Sequence, residues 1–181
     1  MRQWIRIAHR GASGIAPENT LAAFRVALEI GVDGVELDVH GTADGEVVVM
    51  HDASLERTTD QTGAIKTLTL SQIKRADAGA WFGNQFAGES VPTLSESLDF
   101  IKGHAITVLE LKDKTIASAV VSIIHRAQAT DEVVVISFHP SVLVEVRALD
   151  SRIPTGFLIG EERKEDSRGH AIHYVHRTCE I

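Results

Sequence analysis

A chain of 181 residues, 44% of them apolar, has the size and apolar content of one domain with a substantial core. Its net charge of −7, with no run of Lys or Arg, argues against a nucleic-acid surface, which needs clustered cations. The single cysteine, Cys179, excludes an internal disulfide. No apolar stretch is long enough to span a bilayer, and the first six residues lack a signal-peptide core, so a soluble, cytoplasmic protein is expected.

Residues 5–8 form a short, apolar-rich, strand-like stretch that ends in His9-Arg10-Gly11. A loop with Gly11, Gly14 and Pro17 follows, and Asn19 is a good N-cap for a helix over 20–30. Leu21, Phe24, Ala27 and Leu28 share one face of that helix, and Gly31 supplies its stop. A second strand starts near Gly34 and runs into Glu36-Leu37-Asp38. A third, over 46–50, ends in His51-Asp52. Residues 52–91 are too long for a simple loop and read as an insertion within the domain. Trp81, Phe82 and Phe86 argue against disorder there, and Thr69…Gln72 fits a capping box. A second capping box, Thr93…Glu96, opens a helix with Leu94, Leu98 and Ile101 on its apolar face.

A fourth strand over 105–111 carries Glu110-Leu111-Lys112 at its end. A helix over 115–129, a nearly all-apolar strand over 132–138, a helix over 140–149 and a strand over 155–159 follow. Residues 161–169 are polar, and 171–176 make a weak seventh strand. Such alternation implies a parallel α/β fold, either doubly wound or a TIM (β/α)₈-type barrel. Ionisable groups at the ends of several successive strands favour the barrel, because a doubly wound sheet gathers its ligands at one switch point. The barrel is short at its C-terminus, with the last βα unit missing. The sequence is then a fragment, or something else covers the raw edge, a second copy in a homo-oligomer for example.

Side chains two apart on a strand share a face, so Glu36 and Asp38 project together, with Cα atoms about 6.5 Å apart. Two such carboxylates repel unless a positive charge lies between them, and a divalent cation with oxygen ligands, Mg²⁺ or Ca²⁺, suits the place. Glu110 can close the coordination from across the barrel. An isolated E-x-D motif more often sits in a solvated loop or pairs with Arg or Lys; its place at the end of a buried strand favours the metal. His9 and His51 end two other strands, and their pKa range suits proton transfer near neutral pH. Metal ligation by an imidazole stays open. Arg10 offers a fork for a phosphate, and Lys112 a point charge in the same space. A salt bridge to the neighbouring carboxylates is as good a reading of both. His139, directly after the fifth strand, can reach the rim. No G-x-G-x-x-G, P-loop, G-x-S-x-G or C-x-x-C motif is present.

Taken together, His9-Arg10-Gly11, Pro17-Glu18-Asn19-Thr20, Glu36-Leu37-Asp38, His51-Asp52 and Glu110-Leu111-Lys112 resemble the glycerophosphodiester phosphodiesterase family. So do Leu55-Glu56-Arg57-Thr58-Thr59 and the run from Asp77-Ala78-Gly79 to Pro92-Thr93-Leu94. The resemblance covers roughly residues 5–160 and implies a TIM barrel that hydrolyses glycerophosphodiesters to glycerol 3-phosphate and an alcohol. It implies His9 and His51 as the acid/base pair and Glu36, Asp38 and Glu110 as metal ligands, with Arg10 and Lys112 binding phosphate. A Trp-Thr-Val-Asn-like signature of the family's last strand is not found. Two other readings are a catalytically weak binding or regulatory relative, and another metal-dependent barrel enzyme such as a lyase.

Overall fold

The computed structural model describes residues 5–159. Its elements are β1 (Ile7–His9), α1 (Leu21–Ile30), β2 (Gly34–Gly41), β3 (Val47–Val49), α2 (Leu70–Ile73), α3 (Leu94–Ile101), β4 (Ile106–Leu111), α4 (Ala117–Arg126), β5 (Val133–Ser137), α5 (Pro140–Leu149) and β6 (Thr155–Phe157). Five strands run parallel in the order β1-β2-β4-β5-β6. No hydrogen bonds join β1 to β6 among the described residues, so the barrel-type sheet is open there. The polar stretch over 161–169 and the expected strand over 171–176 lie outside the described residues.

One strand departs from expectation. β3 pairs with β2 antiparallel, with Val39 opposite Val49 and Gly41 opposite Val47. The βα alternation of the sequence predicts a third parallel strand here. The link over 42–46 is too short for a parallel crossover, which needs a dozen or more residues. It makes a hairpin instead, with Gly45 at φ 82° and Thr42 Oγ1 donating to Asp44 Oδ1 at 2.7 Å. β4 therefore takes the place beside β2.

The core lies between the sheet and its outer helices. Val35, Leu37 and Val39 of β2 are fully buried, packed with Phe24 and Ala27 of α1, Leu98 and Ile101 of α3, and Val120 and Ile124 of α4. Thr20, not Asn19, caps α1, its hydroxyl accepting from Ala23 N at 3.2 Å. Gly31 closes that helix in the left-handed region. Both expected capping boxes form, Thr69 with Gln72 on α2 and Thr93 with Glu96 on α3.

Residues 52–91 have a small core of their own, in which Leu55, Ile65, Ile73 and Val91 pack on Val48 and Met50 of the hairpin. The aromatic residues there are not part of that core: Trp81 is exposed, and Phe82 meets both Trp81 and Phe86 edge to face. Gly79 is required, because a Cβ there would sit 1.9 Å from the Phe86 carbonyl oxygen.

Candidate active site

Strand parity sets which side chains of β2 face outward and which face inward. On β2 the odd-numbered residues Val35, Leu37 and Val39 face the helices. Glu36 and Asp38 alternate with them and project to the inner face. Sheet register brings in the rest. His9 is aligned with Glu36 across β1–β2, and Glu110 with Asp38 across β2–β4. Glu110 thus joins from the neighbouring strand, not from across the barrel, because the hairpin removes β3 from between them. Glu36, Asp38 and Glu110 are all buried, and each offers an oxygen within 4.8 Å of the others.

Lys112, two residues beyond Glu110, reaches the same place. Its Nζ lies 2.7 Å from Glu110 Oε1 and 3.1 Å from Asp38 Oδ1. Those two oxygens are buried and have this ionic contact, but neither accepts an aligned hydrogen bond. Such oxygens, in an all-carboxylate set, suit a hard divalent cation.

Arg10 follows β1 in the left-handed region, at φ 58°. That conformation costs a non-glycine residue roughly 1–3 kcal/mol and marks a constrained position. It turns the Arg10 N–H toward Glu36 Oε2, at 2.8 Å. The guanidinium meanwhile reaches Glu18 Oε1 at 3.0 Å and lies 3.5 Å from Asp38 Oδ2. Asn19, also left-handed, donates its backbone N–H to the Arg10 carbonyl at 3.0 Å. Its side chain holds Asp38, with Nδ2 donating to Oδ2 at 2.9 Å. Asn19 therefore serves the site and leaves the helix cap to Thr20.

The electrostatics follow from burial and crowding. Burial, with Asp38 beside it, pushes Glu36 up to about 8. Burial also raises Glu110, against the pull of Lys112. Burial opposes ionisation of Asp38 too, but Lys112, the Asn19 hydrogen bond and His51 together outweigh it and hold it low. His9 is lowered by burial and by Arg10. Its Nε2 lies 3.8 Å from Glu36 Oε2.

His51 stands at the end of the hairpin. Its Nδ1 is 2.7 Å from Asp52 Oδ1, and its carbonyl accepts from His40 Nε2 at 3.1 Å. Arg57 then grips Asp52 and Glu18 together. The sequence by itself assigns no part in the site to His40, Asn19, Glu18 or Arg57. His40 alone carried a readable signal, lying two residues beyond Asp38 on β2. The other three sit in loops without periodicity, where Asn19 reads as a helix cap and Glu18 and Arg57 stand out only through the family resemblance.

Two cavities meet at Lys112. One, of about 280 Å³, runs under the carboxylates between Ile5, Ile7, Val108, Ile136 and Leu158. The other, of about 370 Å³, lies toward the insertion, lined by His40, Ala53, Ala64, Lys66, Lys114 and His139 among others. His139 does reach the rim. His125 is remote, paired with Asp150 at 2.8 Å.

The profile of the glycerophosphoryl diester phosphodiesterase family matches residues 9–178. The chain belongs to that family. It is 40% identical over 158 residues to a glycerophosphodiester phosphodiesterase of Caldanaerobacter subterraneus, covering 84% of this chain and 65% of the relative. A Bacillus subtilis glycerophosphodiester phosphodiesterase is 37% identical over 169 residues, covering 83% of this chain and 58% of its own length. Among solved structures, an Oleispira antarctica phosphodiesterase in complex with the product sn-glycerol-3-phosphate superposes with a TM-score of 0.83 at 36% identity. That match covers 89% of this chain and 68% of the other. The Agrobacterium tumefaciens glycerophosphodiester phosphodiesterase gives 0.79 at 35%, covering 84% and 66%. The fold of this family member is therefore the TIM-barrel type. The chain spans about two-thirds or less of the length of the curated relatives named here. Among its described residues no helix is long and apolar enough to cross a membrane.

Proposed function

We propose that this chain hydrolyses glycerophosphodiesters to glycerol 3-phosphate and an alcohol, as a cytoplasmic enzyme. The observation that carries the reading is the convergence of Glu36, Asp38 and Glu110 with two histidines and two cations at one end of the sheet. Membership of the family, and a relative whose structure holds sn-glycerol-3-phosphate, support it.

Glu36, Asp38 and Glu110 would hold one Mg²⁺ or Ca²⁺, which when bound polarises a phosphoryl oxygen. Arg10 and Lys112 bind the phosphate and balance charge on its non-bridging oxygens. Asp52 accepts from His51 at Nδ1, which leaves Nε2 as the ring nitrogen for proton transfer. One of His9 and His51 takes the proton of the attacking hydroxyl, from water or from the glycerol arm. The other protonates the leaving alkoxide as its P–O bond breaks. The insertion helps set the alcohol preference, since Ala53, Ala64 and Lys66 wall the second cavity beside Lys112.

Release of glycerol 3-phosphate from glycerophosphocholine, with Mg²⁺ or Ca²⁺ and with chelator, tests the reading. Turnover is expected with metal and is lost in chelator, and His9→Ala and His51→Ala each lower kcat about 10²–10⁴-fold. Full activity in chelator would remove the metal role. Undiminished rates in both variants would remove the acid/base pair.

A further inference from the structure

One side chain touches no part of the carboxylate cluster, yet connects the two groups that flank it. Arg57 spends its whole guanidinium on two carboxylates. Nε and Nη2 donate to Asp52 Oδ2 and Oδ1 at 2.6 and 3.0 Å. Nη1 and Nη2 donate to Glu18 Oε2 and Oε1 at 3.0 and 2.7 Å. Each carboxylate has one further partner in the site: Asp52 accepts from His51 Nδ1 at 2.7 Å, and Glu18 accepts from Arg10 Nη1 at 3.0 Å. An unbroken chain results, His51–Asp52–Arg57–Glu18–Arg10, across residues up to 47 positions apart.

We propose that Arg57 is a positioning residue that fixes, through Asp52 and Glu18, both the ring of His51 and the guanidinium of Arg10. The inference rests on the phosphodiesterase reading given above. Three features carry it. First, only a planar fork with five donors can hold two carboxylates in fixed orientation at once; a Lys ammonium is a rotating point charge. Second, the backbone around Arg57 is anchored. Leu55 and Thr58 are buried, Thr59 Oγ1 donates to the Leu55 carbonyl at 2.8 Å, and Thr58 Oγ1 contacts Met50 Sδ at 3.2 Å. The fork is thereby referred to the small core of residues 52–91. Third, Asp52 and Glu18 without Arg57 are two anions with no cation between them. Asp52 would then be free to turn from His51, and Glu18 would hold Arg10 alone. Arg57 thus links the proton-transfer side of the site to the phosphate side, and gives the insertion a role beyond walling a cavity.

Steady-state kinetics on glycerophosphocholine with saturating metal distinguish this from simple structural support. Asp52→Asn should lower kcat about 10–100-fold with KM little changed, because it loosens His51. Glu18→Gln should chiefly raise KM, because it loosens Arg10. Arg57→Ala should do both, and adding either single change to it should do little more. Arg57→Lys should recover one parameter and not both. Arg57→Gln, which keeps the stem, replaces Arg57→Ala if that variant does not fold. Values of kcat and KM within about twofold of the parent for Arg57→Ala overturn the proposal. So does a fall in kcat alone that tracks a loss of folded protein in thermal melts. If the parent itself releases no glycerol 3-phosphate, the phosphodiesterase reading fails separately. The positioning role is then read without turnover, from the His51 Nδ1 proton resonance and from calorimetric binding of sn-glycerol 3-phosphate. Arg57→Ala should shift the first and weaken the second; if neither moves, Arg57 positions nothing.

Discussion

Glu36 is a residue whose charge this fold tolerates poorly. It is 6% exposed, beside Asp38, and burial and that neighbour push it up to about 8. The folded chain therefore keeps a proton on Glu36 over a range in which the unfolded chain, with a pKa near 4.5, has released it. A raised carboxylate pKa makes stability greatest below the unfolded value. Stability falls as pH rises through the window from 4.5 to about 8, and no more is lost above it. Glu36→Gln removes that charge. In chelator at pH 8 it should melt at least about 2–4 °C above the parent, the shift that about 1 kcal/mol produces in a chain of this size. Near pH 5 the difference should shrink, and paired melts at the two pH values check it. A variant no more stable than the parent at pH 8 would mean that the crowding is relieved elsewhere. The three carboxylates were legible from sequence because they obey strand parity. Asn19 was misread because a good capping residue is chosen by its local neighbours, whereas Asp38, 19 positions away, claims its side chain.

At the scale of elements, helix caps carry local information, and both capping boxes expected from sequence form, at Thr69 and Thr93, while the cap of α1 is Thr20 and not Asn19. Thr93 Oγ1 accepts from Glu96 N at 3.1 Å, and Glu96 Oε2 takes the Thr93 N–H at 2.7 Å and also meets Lys74 of the insertion. Thr93→Ala should cost about 1 kcal/mol. It should lower Tm by roughly 2–4 °C without changing kcat, since α3 lies on the outer layer. A melt and an assay on one preparation test both halves, and an unchanged Tm would show that the Glu96–Lys74 contact alone secures the helix start. Strand direction was less legible. A run such as 46–50 has the same apolar signature in a parallel or an antiparallel pair. The short link over 42–46 decided for the hairpin, and with it the adjacency of β2 and β4 on which the Asp38–Glu110 contact depends.

At the scale of the whole molecule, three acidic side chains from two strands are held together against their own repulsion, balanced in part by Lys112 and Arg10. A divalent cation bound only by the folded chain should stabilise it by about 2.7 kcal/mol at a concentration 100 times its Kd. For this length that is roughly 5–10 °C in Tm. Melts in Mg²⁺, Ca²⁺ and chelator should show the rise in the parent and its loss in Asp38→Asn; equal rises in both would place the ion elsewhere. The apolar wall below the site, with Ile5 and Ile7 well exposed, belongs to the open side of the sheet. By itself the sequence determined most of the βα alternation, the capping boxes at Thr69 and Thr93, and the inner face on which Glu36 and Asp38 lie, because periodicity and capping act over a few residues. Only the tertiary structure decided that Glu110 is the neighbour of Asp38, that Asn19 holds it, and that Arg57 spans Asp52 and Glu18. Those contacts depend on sheet register and loop closure, which join residues far apart in the chain and leave no periodic trace in it.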